Sequence, residues 1–173
     1  MGINKFIYLL LVSTVIVLFY EKDAQVVVVD NEEKPEISFY NSTAYDITTT
    51  GVKQVVRSSE AYMYKTREEL VDGTIISKGD TNNSANIVSG DHFIKIENQL
   101  YIDGNVNLQL ENDIDIATEQ LEYNIQTKIA KNNLPFEAIQ YNNRYEGENL
   151  YLDLMKKYIK SDNTKMKIEV INE

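Results

Sequence analysis

The sequence contains no cysteine and no tryptophan, and it has only one histidine, two prolines and seven glycines. Without cysteine there is no thiolate nucleophile and no cysteine-bound zinc or iron–sulfur centre. The single histidine, His92, leaves few options for a Ser-His-Asp triad or a histidine-based metal site, and we expect it in a surface loop. No phosphate-binding or nucleophile-elbow glycine motif occurs. The sequence therefore predicts no catalytic residue, no metal site and no cofactor.

Positive charge is also in short supply. Acidic residues outnumber basic ones by 27 to 17, and such a field repels nucleic acid and anionic membrane surfaces. We therefore predict no nucleic-acid partner, and an anionic ligand would be held mainly by apolar contacts. Glu111, Asp113 and Asp115 alternate along one predicted strand. A Ca²⁺ site is conceivable there, but a solvated strand face with separated charges is the favoured interpretation.

One uncharged run of fifteen residues, 6–20, stands out near the start and is preceded by Lys5. As a helix it would span roughly 22 Å, against a hydrocarbon core of about 30 Å. Bulky aromatics close the run where a signal-peptide cleavage site needs small residues. We predict an uncleaved, single-pass transmembrane helix over residues 1–22 with a cytoplasmic N-terminus. A cleaved signal peptide and a buried core segment are the alternatives. The anchor residues would be Phe6, Leu10, Val15, Phe19 and Tyr20.

The rest of the chain predicts a charged tether over residues 23–34 and one all-β domain over residues 35–173. Short apolar–polar alternations are separated by Asn, Asp and Gly, as in sandwiches and barrels; Val106, Leu108 and Leu110 give the clearest example. Residues 66–71 suggest one helical turn. Residues 148–160 fit a helix by their i, i+4 spacing, but their period-2 neighbours favour a strand.

Strands of this kind present one apolar and one polar face, so two stacked layers would bury their apolar faces against each other. If the layers splay apart instead, the same side chains line an open apolar trough. The alternation does not distinguish the two arrangements. The candidate inward, lipid-binding positions are Ile37, Phe39, Tyr45, Ile47, Val106, Leu108, Ile116, Tyr123, Phe136 and Tyr145.

The order of these segments resembles the LptC family, the bitopic periplasmic component of the lipopolysaccharide export machine. The likeness spans roughly residues 6–171. It is carried by the sequences PEI, LYIDGNVNL, IATEQLEY, LPF and YEGENL at residues 35–37, 100–108, 116–123, 134–136 and 145–150.

The resemblance implies an open β-jellyroll of two splayed antiparallel sheets that holds the acyl chains of lipid A. It implies a non-enzymatic relay in the inner membrane, with partners in the membrane and ATPase subunits of the Lpt ABC transporter and in the soluble bridge protein LptA. An edge near residues 37–41 would meet the transporter. The last strand would meet LptA through Lys165, Met166, Ile168 and Val170.

Two other functional classes remain open. A membrane-anchored adhesin or other structural subunit would share the anchor and the β domain. An envelope hydrolase with a carboxylate pair would need two carboxyl groups about 5–9 Å apart in one cleft.

Overall fold

The structure is a computed structural model that describes residues 33–79, 84–111, 113–141 and 143–168. The predicted anchor (residues 1–22), residues 23–32 of the predicted tether and Val170 lie outside the described residues. Within the described ranges, no helix has the length and apolar composition needed to cross a bilayer.

The described residues form ten strands, and every pairing between them is antiparallel. The all-β prediction is therefore confirmed. In chain order the strands are β1 (Ile37–Thr48), β2 (Gly51–Met63), β3 (Glu68–Lys78), β4 (Ala85–Ile96), β5 (Gln99–Leu110), β6 (Ile114–Asn124), β7 (Ile129–Lys131), β8 (Phe136–Gln140), β9 (Asn143–Asp153) and β10 (Tyr158–Lys167).

The helical turn predicted over residues 66–71 is wrong, because β3 begins at Glu68. Leu70 pairs with Ala61 on one side and with Phe93 on the other. Its partial burial against the core outweighs the weak local preference for a helical turn.

The preference for strand over helix in residues 148–160 is confirmed, although a turn at residues 154–157 divides the segment between β9 and β10. Asp153 holds this turn, because its carboxylate accepts a 3.0 Å hydrogen bond from the backbone N–H of Lys156. The ammonium of Lys156 lies 3.2 Å from the same carboxylate. These contacts, led by the backbone hydrogen bond, lower the pKa of the Asp153 carboxyl group.

All ten described strands belong to one continuous sheet. Strands β1 to β6 follow one another as a meander, and β1 and β10 are the two edges. The short strands β7 and β8 share one position between β6 and β9. Two separate splayed sheets were expected, but hydrogen bonding runs through a single sheet.

Left-handed residues lie near the middle of five of the described long strands. They are Asn41 in β1, Asp72 in β3, Gly104 and Asn105 in β5, Asn149 in β9 and Asn163 in β10. Asparagine, aspartate and glycine are the residues that adopt this conformation at least cost. We call this set of residues the seam.

The seam residues hydrogen-bond from strand to strand. Ser59 donates to the carboxylate of Asp72 at 3.0 Å, and the amide of Asn105 donates to the carboxylate of Asp91 at 2.8 Å. On the far side of the sheet, the amide of Asn149 donates to Asp162 at 3.1 Å. The bends are thus satisfied by side chains where the regular ladder is interrupted.

The seam also changes which residues face the core. In β3, Leu70 and Ile75 are an odd number of positions apart, yet both pack on the core. In β6, Ile116 and Leu121 do the same. Regular strands would turn such residues to opposite faces. β3 and β6 therefore switch face between these residues, and both halves of each strand contribute to one core.

A buried polar contact closes the gap between β7 and β8. Asn132 is 4% exposed, its amide donates to the hydroxyl of Thr118, and its carbonyl accepts from the backbone N–H of Leu134. Thr118 in turn donates to the carbonyl of Pro135 at 3.1 Å. The residues between β7 and β8 are thus packed with their buried side-chain polar groups hydrogen-bonded.

Candidate functional site

The face of the sheet that carries the core is called the inner face. Its buried hydrophobic residues form one cluster, supplied by β4 to β9: Phe93, Leu100, Ile102, Val106, Leu108, Ile116, Leu121, Ala130, Phe136, Ala138, Leu150 and Leu152. Five of the larger side chains are almost completely buried: Phe93, Ile102, Ile116, Leu150 and Val106. The middle of the inner face is therefore sealed by close packing.

Burial decreases steadily from the middle toward β1. Paired residues on adjacent strands lie on one face, and one such row runs Ile102, Phe93, Leu70, Ala61, Phe39. Ile102 and Phe93 are buried, Leu70 and Ala61 are half-buried, and Phe39 is 52% exposed. The apolar row thus begins in the buried core and ends at a solvent-exposed residue of β1.

The other half of the sheet repeats this gradient. Its row runs Leu108, Val88, Ile75, Val56, Ala44. Leu108 is buried, the next three residues are half-buried, and Ala44 is exposed. Both halves of the inner face therefore present apolar side chains to solvent at the β1–β2 end.

The β10 end is open in the same way. Ile159 pairs with the buried Leu152 and is 43% exposed. Met166 pairs with the half-buried Tyr145 and is 56% exposed. The inner face is consequently closed in the middle and uncovered along both edge strands.

One row of the inner face is interrupted by an ion pair. Lys95 and Glu68 are paired residues on β4 and β3, and their side chains meet at 2.8 Å. They belong to the row that continues to Leu100 on one side and to Met63 and Ile37 on the other. The inner face therefore carries one charged pair within this otherwise apolar row.

The ten predicted lipid-binding positions fall into three groups. Val106, Leu108, Ile116 and Phe136 are buried in the core. Tyr123 and Tyr145 are half-buried against it; burial raises the pKa of the Tyr123 hydroxyl.

The β1 residues are exposed. Ile37 and Phe39 belong to inner-face rows, whereas Tyr45 pairs with Val55 and lies on the opposite face from its neighbour Ala44. The predicted inward orientation of Tyr45 is therefore wrong. Ile47 is 70% exposed near the end of the strand.

Sequence reasoning missed other exposed inner-face residues. Ala61, Met63 and Ile159 occupy the same rows as the predicted set. Only the pairing register identifies them, since their local sequence lacks a clean alternation. Of the predicted partner edge, Lys165 and Met166 belong to β10, and Ile168 lies just beyond it and is 61% exposed.

The remaining chemical candidates take ordinary structural roles. His92 lies within β4, not in a loop, and its Nε2 is 3.8 Å from Glu69. Glu111 is not simply solvated: it accepts from Ser84 at 2.8 Å and lies 3.2 Å from the ammonium of Lys157. Across the described residues no three His, Asp or Glu side chains gather as a metal site would require.

Comparison with known proteins gives one clear result. The family model described as lipopolysaccharide-assembly, LptC-related, matches residues 6–164. No curated protein matches the chain. Among solved structures, the chain is similar to LptH of Pseudomonas aeruginosa, described as the LptA-homologous periplasmic component of the lipopolysaccharide transport device. That similarity covers 80% of this chain and 97% of LptH, at 12% identity and a TM-score of 0.41.

Proposed function

This chain belongs to the LptC family, whose members act in lipopolysaccharide transport without enzymatic activity, and we propose that its inner face holds the acyl chains of lipid A. Residues 1–22 would anchor it as a single pass in the inner membrane, with residues 23–34 as a tether. The β domain of residues 35–173 would stand in the periplasm as the open jellyroll that the resemblance implies.

The relay would use the uncovered apolar surface at each edge of the sheet, and not its buried middle. Lipopolysaccharide would arrive from the membrane and ATPase subunits of the ABC transporter at the β1 edge. It would leave to LptA at the β10 edge, through Lys165, Met166, Ile168 and Val170. Strand addition to an exposed edge is the natural docking mode, because each edge strand has one unpaired side.

The observation that carries this proposal is the burial gradient along the inner face. A buried row that continues into exposed apolar residues offers a ready surface for a hydrocarbon chain. Each methylene transferred from water to such a surface contributes about 0.8 kcal/mol. A trough of this kind needs no catalytic group. It also suits an acidic chain, because the phosphates of the lipid need not touch the inner face.

The test uses two neighbouring aromatic positions in β1. Phe39 and Tyr40 are 52% and 67% exposed, but they point to opposite faces. A photoreactive residue at Phe39 is expected to crosslink to lipopolysaccharide in cells, and the same residue at Tyr40 is expected to give little or no adduct. Equal labelling at both positions, or none at Phe39, would contradict the proposal.

A further inference from the structure

The face opposite the core carries two tyrosines and two lysines at the β10 edge. Tyr151 of β9 pairs with Lys131 of β7 on one side and with Lys160 of β10 on the other. The ammonium of Lys131 is 5.8 Å from the centre of the Tyr151 ring. Tyr158 packs edge-on against Tyr151, with ring centres 6.5 Å apart. We call Lys131, Tyr151, Tyr158 and Lys160 the lysine–tyrosine patch.

The segment around this patch is positively charged, whereas the whole chain is negatively charged. Residues 156–167 contain five lysines and a single acidic residue, Asp162, in a chain with a net charge of −10. Lys156 and Lys157 are engaged by Asp153 and Glu111, each at 3.2 Å.

Lys131 and Lys160, the two lysines of the patch, differ from Lys156 and Lys157 in their ion pairing. Across the described part of the chain, no carboxylate lies within 4 Å of Lys131 or Lys160, although Glu122 is the strand neighbour of Lys131. Their charges are thus available to an anion, and Tyr151 lies between them.

The patch adjoins the open inner face. Ile159 lies between Tyr158 and Lys160 in β10, but it points to the inner face and pairs with Leu152. Since β10 is the edge of the sheet, only the thickness of one strand separates Ile159 from Lys160. An amphipathic lipid with its chains along Ile159 can therefore bring its headgroup over the edge to the patch.

We propose that the lysine–tyrosine patch binds the phosphorylated sugar headgroup of the lipopolysaccharide whose acyl chains lie on the inner face. This proposal rests on the proposed function. Lys131 and Lys160 would donate charge-assisted hydrogen bonds to phosphate oxygens, and the exposed part of the Tyr151–Tyr158 pair would pack against a sugar ring. The patch would give recognition of the polar end of the lipid, which an apolar trough alone does not provide.

Lysines on edge strands also have a general role in preventing aggregation, so the experiment needs a control of equal charge. Lys53 of β2 and Lys78 of β3 provide it, because both are exposed and both lie far from β10 in the strand order. The variants are K131E/K160E and K53E/K78E in the full chain, with folding checked by circular dichroism.

The probes are lipopolysaccharide, the same lipid after chemical dephosphorylation, and its deacylated phosphorylated disaccharide. We expect K131E/K160E to weaken binding of the phosphorylated lipid at least tenfold and to leave the dephosphorylated lipid unchanged. K53E/K78E should change the affinity for the phosphorylated lipid less than threefold. An equal loss in the two variants, or an equal loss for the two lipids, would overturn the assignment.

The disaccharide separates this inference from the proposed function. It should shift the NMR resonances of Lys131 and Lys160 even though it has no acyl chain. Shifts at the patch without lipid adducts at Phe39 would refute the acyl-binding proposal and leave the patch standing. Adducts at Phe39 without shifts at the patch would refute the lysine–tyrosine patch and leave the acyl-binding proposal standing. Equal shifts from vesicles of phosphatidylglycerol would overturn the choice of a sugar phosphate as the ligand.

Discussion

The middle and the edges of the inner face have the same apolar character but different surroundings. Phe93 and Phe39 belong to one row of paired residues, yet Phe93 is 1% exposed and Phe39 is 52% exposed. The difference arises from neighbours, since Phe93 has strands on both sides and belongs to the buried cluster, whereas Phe39 lies on an edge strand. The comparison teaches that the same residue type stabilises the fold at one position and is available for a ligand at another.

The largest expected effect comes from truncating the two phenylalanines of this row. Phe93→Ala should destabilise the domain by about 3–5 kcal/mol, since it empties a closely packed site. Phe39→Ala should cost no more than about 0.5 kcal/mol, as is usual for surface substitutions. Urea denaturation of both variants measures the difference. Similar losses of stability would show that the β1 end is as closed as the centre.

Phe39→Ala has a second readout. It should reduce lipopolysaccharide binding while leaving the fold intact, and Tyr40→Ala serves as the matched control on the opposite face. Unchanged binding in Phe39→Ala would remove the exposed row from the binding surface.

A smaller loss of stability is expected from a substitution in the segment between β7 and β8. Asn132→Ala removes the partner of the backbone N–H of Leu134 and of the Thr118 hydroxyl. The Thr118 hydroxyl keeps its bond to Pro135, but leaving the backbone N–H of Leu134 without a partner should cost about 1–3 kcal/mol. Thermal unfolding measures it, and Asn133→Ala at the exposed neighbouring position provides the control. A change no larger than that of the control would mean that water satisfies this N–H group.

The smallest loss of stability should come from the turn between β9 and β10, which Asp153 holds. The pKa of Asp153 is lowered in the folded chain, so its carboxylate favours folding above the unfolded value of about 3.9. That contribution is lost as the pH falls through the folded value. Asp153→Asn should therefore lower the melting temperature at pH 7, with the gap to the wild type closing in acid. A gap independent of pH would indicate that only the geometry of the turn matters.

The sequence predicted the strands of the second half of the chain well. Val106 and Leu108 alternate with polar residues, and both point into the core as expected. In β1, by contrast, the alternation of residues does not predict which face a side chain occupies. Phe39 and Tyr45 are six residues apart, and a regular strand would place them on one face. The left-handed Asn41 lies between them and switches the face of β1, so Tyr45 points away.

The same limit applies to the exposed inner-face residues. Ala61 and Ile159 are identified by their partners on neighbouring strands, not by their own sequence context. Likewise, the sequence indicated two apolar layers but contained no sign that they are halves of one sheet. The left-handed asparagine and aspartate residues within the strands are no guide, because these residue types also occur in ordinary turns.

The shared position of β7 and β8 has a mechanical consequence. Because the sheet is one uninterrupted ladder from β1 to β10, tension applied between its two edges passes through every strand pair in series. The step between β6 and β9 depends on a three-residue strand and a five-residue strand, whereas the others are ten to thirteen residues long. Asn132 lies between these two short strands, and it links the step to both neighbours, because its backbone N–H donates to the carbonyl of Leu150 in β9 and its side chain donates to Thr118 in β6.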